Sequence, residues 1–147
     1  MDRVIACKLI HDVALKEVGV HEVTGPAANP RIVEYASYTS LKATSDEVAW
    51  CSSAANFCVA KAGFKGTNSA AARSWLDWGK VLDKPIVGCI VVFDRKDASN
   101  PNAAHVAICD HEDISNGIIR VLGGNQSDSF CVARYPISKV LGYRSPV

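Results

Sequence analysis

The stretch Val87-Gly88-Cys89-Ile90-Val91-Val92-Phe93 is the first part of this sequence with the character of a β-strand. It is rich in β-branched residues and ends in an aromatic one, the composition that buried, pleated strands favour. Further runs of the same kind follow, separated by Gly, Pro, Asn or Asp, over residues 104–110, 118–122, 130–135 and 139–143. The second half of the chain is therefore predicted to form a mostly antiparallel sheet of about five strands.

The residues before this stretch have helical periodicity instead. Apolar residues recur at every fourth position over residues 5–13, and Gly19 can end that first helix. An Asn-Pro pair suited to a helix start precedes a second, short helix over residues 31–38. A central helix is predicted over residues 51–62 and a fourth over residues 70–78. The expected fold class is α+β, with N-terminal helices packed on the sheet.

Composition points to one ordinary globular domain. Of the 147 residues, 48% are hydrophobic and 21% are charged, far from the polar profile of a disordered chain. The formal net charge is +1 and no basic block occurs, so nucleic acid is not an expected partner. The N-terminus lacks the apolar run of a signal peptide, and no segment has the roughly 20 apolar residues of a membrane span. We expect a cytoplasmic protein with no membrane insertion.

Cysteines are numerous for a chain without an export signal. The sequence has six, at positions 7, 51, 58, 89, 109 and 131, and we expect mostly reduced thiols. No two have the C-x(2 to 4)-C spacing that places two thiolates on one zinc ion. His105, Cys109 and His111 could share one face of a strand, but simple alternation along that strand accounts for their spacing. No metal is therefore expected.

Cys51 differs from the other cysteines by its position. It begins the predicted central helix, whereas the others lie inside predicted helices or strands, where Cys packs as a small hydrophobe. The unpaired N–H groups of a helix N-terminus favour negative charge and lower a thiol pKa. Cys51 is thus the candidate nucleophile, although an isolated cysteine is more often a packing residue.

His105 is the best candidate for a base beside that thiol. It lies near the start of the apolar run Ala104-His105-Val106-Ala107-Ile108. A polar ring in such a run needs a hydrogen-bond partner or has a functional role. The other histidines are predicted to be surface or core-edge residues. His11 lies on the first predicted helix, His21 lies just after that helix, and His111 lies beside acidic residues.

A base of this kind also needs an acceptor that orients its ring. The strand predicted over residues 118–122 runs into Gly123-Gly124-Asn125-Gln126. If this strand and that of His105 form a hairpin, Asn125 ends close to the imidazole. A plain Gly-Gly-Asn turn explains these residues equally well.

Six ordered blocks of the sequence resemble one family. They are Ala49-Trp50-Cys51-Ser52, Ser69-Ala70-Ala71-Ala72-Arg73-Ser74-Trp75-Leu76-Asp77-Trp78-Gly79, Gly88-Cys89-Ile90-Val91-Val92-Phe93, His105-Val106, Leu122-Gly123-Gly124-Asn125-Gln126 and Leu141-Gly142-Tyr143-Arg144. Together they resemble small phage and prophage lysins related to the CHAP (cysteine, histidine-dependent amidohydrolase/peptidase) and NlpC-like cell-wall peptidases. The resemblance runs from the first helix to the C-terminus.

This resemblance implies a papain-like α+β fold and assigns roles to individual residues. It makes Cys51 the nucleophile, His105 the general base and Asn125 the orienting residue. Many CHAP domains carry a Glu two positions before that Asn, where this chain has Gly123. Gln126 is therefore the alternative third member, or an oxyanion donor. Trp50 is the tryptophan expected to contact substrate. Neither a metal nor another cofactor is implied.

The implied function is hydrolysis of an amide bond in peptidoglycan through a thioester acyl-enzyme. An endopeptidase of the stem peptide or cross-link and an N-acetylmuramoyl-L-alanine amidase use the same residues, so both alternatives stay open. An antibacterial toxin of the same fold and an inactive wall-binding or virion module are further alternatives.

Residues 1–147 are expected to form one catalytic domain, with no separate wall-binding domain. We expect a monomer whose partner is bacterial peptidoglycan. The protein would be held in the cytoplasm and would act in the periplasm or cell wall after a pore-forming partner releases it.

Overall fold

The computed structural model describes residues 1–23, 29–39, 50–95, 103–113 and 116–147. Within these residues, a six-stranded sheet has the strand order β1-β6-β2-β3-β4-β5, and every pairing is antiparallel. The strands are β1 (Lys80–Leu82), β2 (Ile90–Asp94), β3 (Ala104–Asp113), β4 (Ile118–Gln126), β5 (Ser129–Pro136) and β6 (Val140–Ser145). Because β2 to β5 follow one another along the chain and in the sheet, they form a meander.

Three α-helices precede the sheet, as predicted. They are α1 (Arg3–Glu17), α2 (Pro30–Ala36) and α3 (Cys51–Lys61). The Asp2 side chain caps α1 by accepting from two backbone N–H groups, and the Asn29 side chain caps α2 by accepting from one. The α+β class and its order, helices first and antiparallel sheet second, are confirmed.

Two elements differ from the prediction. The expected fourth helix is a 3₁₀ helix, Ala72–Asp77. The indole N–H groups of Trp75, within this helix, and of Trp78, which follows it, donate to different partners. Trp75 Nε1 donates to Ser52 Oγ at 2.9 Å, and Trp78 Nε1 donates to the Lys65 carbonyl at 2.8 Å. The sheet also has a sixth strand, β1, which is too short to show alternation and forms because its residues pair with β6.

The sheet separates two hydrophobic clusters. Residues of α1, α2 and α3 pack against one face, which Val92, Val106 and Leu122 contribute to. The alternate residues of the same strands, among them Phe93 and Ala107, form a second cluster. α3 therefore lies across β3 and β4, with its first residue near one end of β3.

A bulge near the end of β4 interrupts the sheet at that point. The register with β5 shifts between Gly123 and Gln126, and Asn125 has φ of +57°. The pairing of β3 with β4 begins only at Ile108 and Leu122. Backbone groups of β3 before Ile108 are consequently available on that side for other partners.

Within the described parts of the chain, none of the helices has the length and apolar character that crossing a bilayer requires. All six cysteines are free thiols.

Candidate active site

Cys51 is the first residue of α3, and its thiol lies beside backbone donors. Trp50, at the cap position, contributes no side-chain cap, so the first N–H groups of the helix remain open. The backbone N–H groups of Val106, Ser52 and Cys51 each lower the pKa of this thiol. The Val106 donor is free for this role because β3 has not yet begun to pair with β4 at that residue.

Burial nevertheless dominates the ionisation of this thiol. Cys51 is only 8% exposed, and desolvation raises its pKa above the ordinary value of 9.0. The Val106 N–H, the charge of Arg95 and the two helix N–H groups lower the pKa, in that order, without offsetting the burial. The helix N-terminus was expected to favour a thiolate, but the resting group in this structure is a neutral thiol.

His105 lies near the start of β3, opposite Phe93 of β2, and is 1% exposed. Its Nε2 lies 2.9 Å from Gln126 Oε1. The Gln126 amide is itself oriented, because its Nε2 donates to the Cys131 carbonyl at 2.7 Å. Gln126 Oε1 must then accept from the ring, which places the imidazole proton on Nε2 and leaves Nδ1 with a lone pair.

The remaining ring nitrogen has no partner among the residues that the structure describes. His105 Nδ1 is buried and makes no hydrogen bond within the described residues. Burial lowers the His105 pKa to about 4, with the charge of Arg95 acting in the same direction and the Gln126 hydrogen bond opposing both. Near neutral pH the ring is therefore an uncharged base with a free lone pair.

The thiol and the candidate base are related through two consecutive residues of β3. The N–H of Val106 lowers the pKa of the Cys51 thiol, and His105 is the residue immediately before Val106. The imidazole packs against Phe93 and Tyr135, with ring centroids 6.2 and 5.6 Å away. No hydrogen bond joins Sγ to Nδ1 within the described residues, so direct proton transfer requires these two groups to approach each other, or water to bridge them.

The structure distinguishes the two candidates for the third residue. Gln126 is hydrogen-bonded to His105, whereas Asn125 occupies the bulge with its backbone in the left-handed region. The bulge adds a residue on β4, and this extra residue determines which side chain reaches the ring.

Trp50, expected to contact substrate, has the contacts of a packing residue. It is 2% exposed, donates from Nε1 to Glu22 Oε1 at 2.7 Å, and stacks on Tyr35 with centroids 5.9 Å apart. A Cβ on Gly124 would lie 2.6 Å from the Trp50 ring, so the strand and the indole are in close contact.

Tyr135 is a site residue that the sequence analysis missed. Its hydroxyl donates to Gln126 Oε1 at 3.3 Å, the same atom that accepts from His105. Burial raises the pKa of this phenol, so it remains a donor at neutral pH. The available signal was weak: Tyr135 lies on the strand after the Gly-Gly-Asn-Gln segment, at a position defined only once the bulge is known.

The described residues contain no group of three His, Cys, Asp or Glu side chains arranged to hold a metal ion. No protein-family model matches the chain, and comparison with curated proteins gives no match.

Proposed function

We propose that this protein is a cysteine hydrolase that cleaves an amide bond of bacterial peptidoglycan. The observation that carries the reaction type is the His105 ring, which Gln126 holds through Nε2, while Nδ1 makes no hydrogen bond within the described residues and the next residue, Val106, interacts with the Cys51 thiol. A thiol, a neutral imidazole and an orienting amide are the groups that acyl transfer through a thioester requires. The substrate class rests on the resemblance of the sequence blocks to cell-wall lysins.

The raised pKa of Cys51 and the lowered pKa of His105 define how the reaction would begin. Since both groups are neutral at rest, His105 takes the thiol proton as the sulfur attacks the carbonyl carbon. A carbon–sulfur bond forms, and the amide carbonyl oxygen becomes an oxyanion. The backbone N–H groups of Cys51 and Ser52, at the open start of α3, are suitable donors for that oxyanion.

The second half of the reaction uses the same groups. The protonated imidazole gives its proton to the leaving amine as the carbon–nitrogen bond breaks, which leaves a thioester on Cys51. His105 then removes a proton from a water molecule that attacks the thioester, and the sulfur departs. Gln126 keeps the ring in one orientation throughout both steps.

The experiment is mass spectrometry of fragments released from purified diaminopimelate-type peptidoglycan. Wild type and the variants Cys51→Ala and His105→Ala are compared, with Cys58→Ala as the matched control. Cys58 lies on the same helix, is fully buried and belongs to the core. We expect wild type and Cys58→Ala to release peptides, and both site variants to lose at least 10³-fold in rate.

The fragments also identify the bond. New amino termini within the stem peptide or cross-link indicate an endopeptidase, and glycan chains freed from L-alanine indicate an amidase. Equal release by wild type and Cys51→Ala would refute the proposed function.

A further inference from the structure

We propose that Arg95 binds a carboxylate of the substrate close to the scissile bond, so that the site selects acidic peptides. This inference deepens the proposed function and rests on Cys51 as the nucleophile. It concerns a residue that neither the sequence blocks nor the catalytic hydrogen bonds include.

Arg95 is placed beside the base by the pairing of β2 with β3. Its backbone N–H donates to the Ala103 carbonyl at 2.9 Å, which extends the ladder one residue beyond the end of β2. Side chains of a strand alternate between faces, so Arg95 is on the same face as Phe93. Phe93 stacks on the His105 ring, and Arg95 is therefore a diagonal neighbour of that ring.

The charge of Arg95 reaches several members of the site. It lowers the pKa of Cys51, of His105 and of Tyr135, three side chains that come from α3, β3 and β5. This effect agrees with the position that the strand pairing gives Arg95.

The guanidinium is available for a ligand. Arg95 is exposed, and no ion pair joins it to an acidic side chain of the described residues. A guanidinium offers a planar fork of donors that matches the two oxygens of a carboxylate. A guanidinium that has no ion pair within the described residues and neighbours the His105 ring is suited to a substrate anion, and stem peptides of peptidoglycan carry carboxylates.

The first test uses two small alkylating reagents instead of peptidoglycan. The Cys51 sulfur displaces iodide from iodoacetate or from iodoacetamide, forming one carbon–sulfur bond and breaking one carbon–iodine bond. The two reagents differ only in a carboxylate against a neutral amide. Peptide mapping by mass spectrometry gives the alkylation rate of Cys51 separately from the other cysteines.

We expect Arg95→Gln to lower the iodoacetate to iodoacetamide rate ratio by about 10-fold, the scale of one charge-assisted hydrogen bond. Arg134→Gln is the matched control, because Arg134 is also exposed but lies on β5 at the opposite end from Gln126. A change in thiol pKa alone would slow both reagents equally and leave the ratio unchanged. The ratio therefore reports carboxylate binding.

The second test uses two synthetic stem peptides that are identical except for a carboxylate or carboxamide next to the cleaved bond. Arg95→Gln should raise KM for the carboxylate peptide about 10-fold and leave KM for the carboxamide peptide within about 2-fold. An unchanged reagent ratio, an equal fall in Arg134→Gln, or no alkylation of native Cys51 by either reagent overturns the inference. If peptidoglycan is not cleaved but the ratio still depends on Arg95, the proposed function fails and the carboxylate site stands.

Discussion

At the scale of single residues, one amide oxygen decides which nitrogen of His105 can act as the base. Gln126 Oε1 accepts from Nε2 because the Gln126 NH₂ group is already committed to the Cys131 carbonyl. The Tyr135 hydroxyl donates to the same oxygen and resists rotation of the amide. The tautomer that the proposed mechanism needs is thus fixed by three hydrogen bonds that the substrate does not need to form.

This arrangement predicts that Gln126, and not Asn125, is required for activity. Gln126→Ala should lower kcat about 10²-fold with KM within about 3-fold, because the ring loses its orientation and its preferred tautomer. Asn125→Gly is the matched control, since glycine keeps the positive φ at the bulge and removes only the amide. Steady-state kinetics on a stem peptide separates the two residues.

Gln126→Glu provides a readout that a purely structural role would not change. A carboxylate at this position favours the imidazolium, so the acidic limb of kcat/KM should move above pH 4. An unshifted limb in Gln126→Glu, or equal losses in Gln126→Ala and Asn125→Gly, would contradict the assignment.

Sequence reasoning singled out Cys51 and His105 as candidate site residues, and the structure places them at the start of α3 and near the start of β3. A cysteine at a helix start and a histidine that begins an apolar strand are local signals. The choice between Asn125 and Gln126 was not accessible, because it depends on a bulge that only the pairing of β4 with β5 creates. The raised pKa of Cys51 was not accessible either, since burial is a property of the packed fold.

At the scale of elements, the site depends on how closely α3 approaches β4. Gly124 permits this approach: a Cβ there would lie 2.6 Å from two carbons of the Trp50 ring and 2.9 Å from the Ala54 Cβ. Each of these distances is shorter than packed carbon atoms tolerate. Trp50, which precedes Cys51, and Gly124, which lies two residues before Gln126, are therefore in direct contact.

Gly124→Ala should consequently separate the two halves of the site. We expect a loss of about 1 to 3 kcal/mol in the free energy of unfolding and a lower kcat, because the strand or the helix must shift. Trp50→Phe removes the ring carbons that clash, so Gly124→Ala should cost less in that background. Urea denaturation of the four proteins of this double-mutant cycle measures the coupling. Additive effects would show that the two residues do not constrain each other.

The elements themselves were predictable where local signals are strong. The helices begin and end within a few residues of the sequence prediction, since caps and glycines mark their ends, as with Asn29 and Gly19. β1 was missed because three residues carry no periodicity and its partner, β6, lies far along the chain. The prediction of a fourth α-helix used local periodicity alone. The indole hydrogen bonds of this segment join it to residues outside it, and local periodicity does not report such tertiary contacts.

At the scale of the whole molecule, the buried imidazole links stability to pH. The His105 pKa is about 4 in the folded chain and close to 6.5 when exposed, so between these values the unfolded chain binds a proton that the folded chain does not. Stability is therefore retained above pH 6.5 and decreases as the pH falls toward 4. The loss by pH 4.5 amounts to about 2 to 3 kcal/mol.

His105→Asn should remove this part of the pH dependence. Urea denaturation at pH 7 and pH 4.5 gives the change in the free energy of unfolding for wild type and variant, and the other titrating groups contribute to both. His111→Asn, which replaces an exposed histidine, is the control and should behave like wild type. An equal acid-induced loss in wild type and His105→Asn would show that this imidazole is not buried in its neutral form.

The meander has a consequence for the order in which a newly made chain acquires its chemistry. His105 and Gln126 are 21 residues apart on consecutive strands, so a local hairpin can unite them early in folding. Cys51 belongs to α3, which lies much earlier in the sequence than these strands. This helix packs on the sheet through long-range contacts. A ribosome-bound or half-folded chain would hold an oriented imidazole without a nucleophile. We therefore expect the nascent polypeptide to have no hydrolytic activity until α3 packs on the sheet.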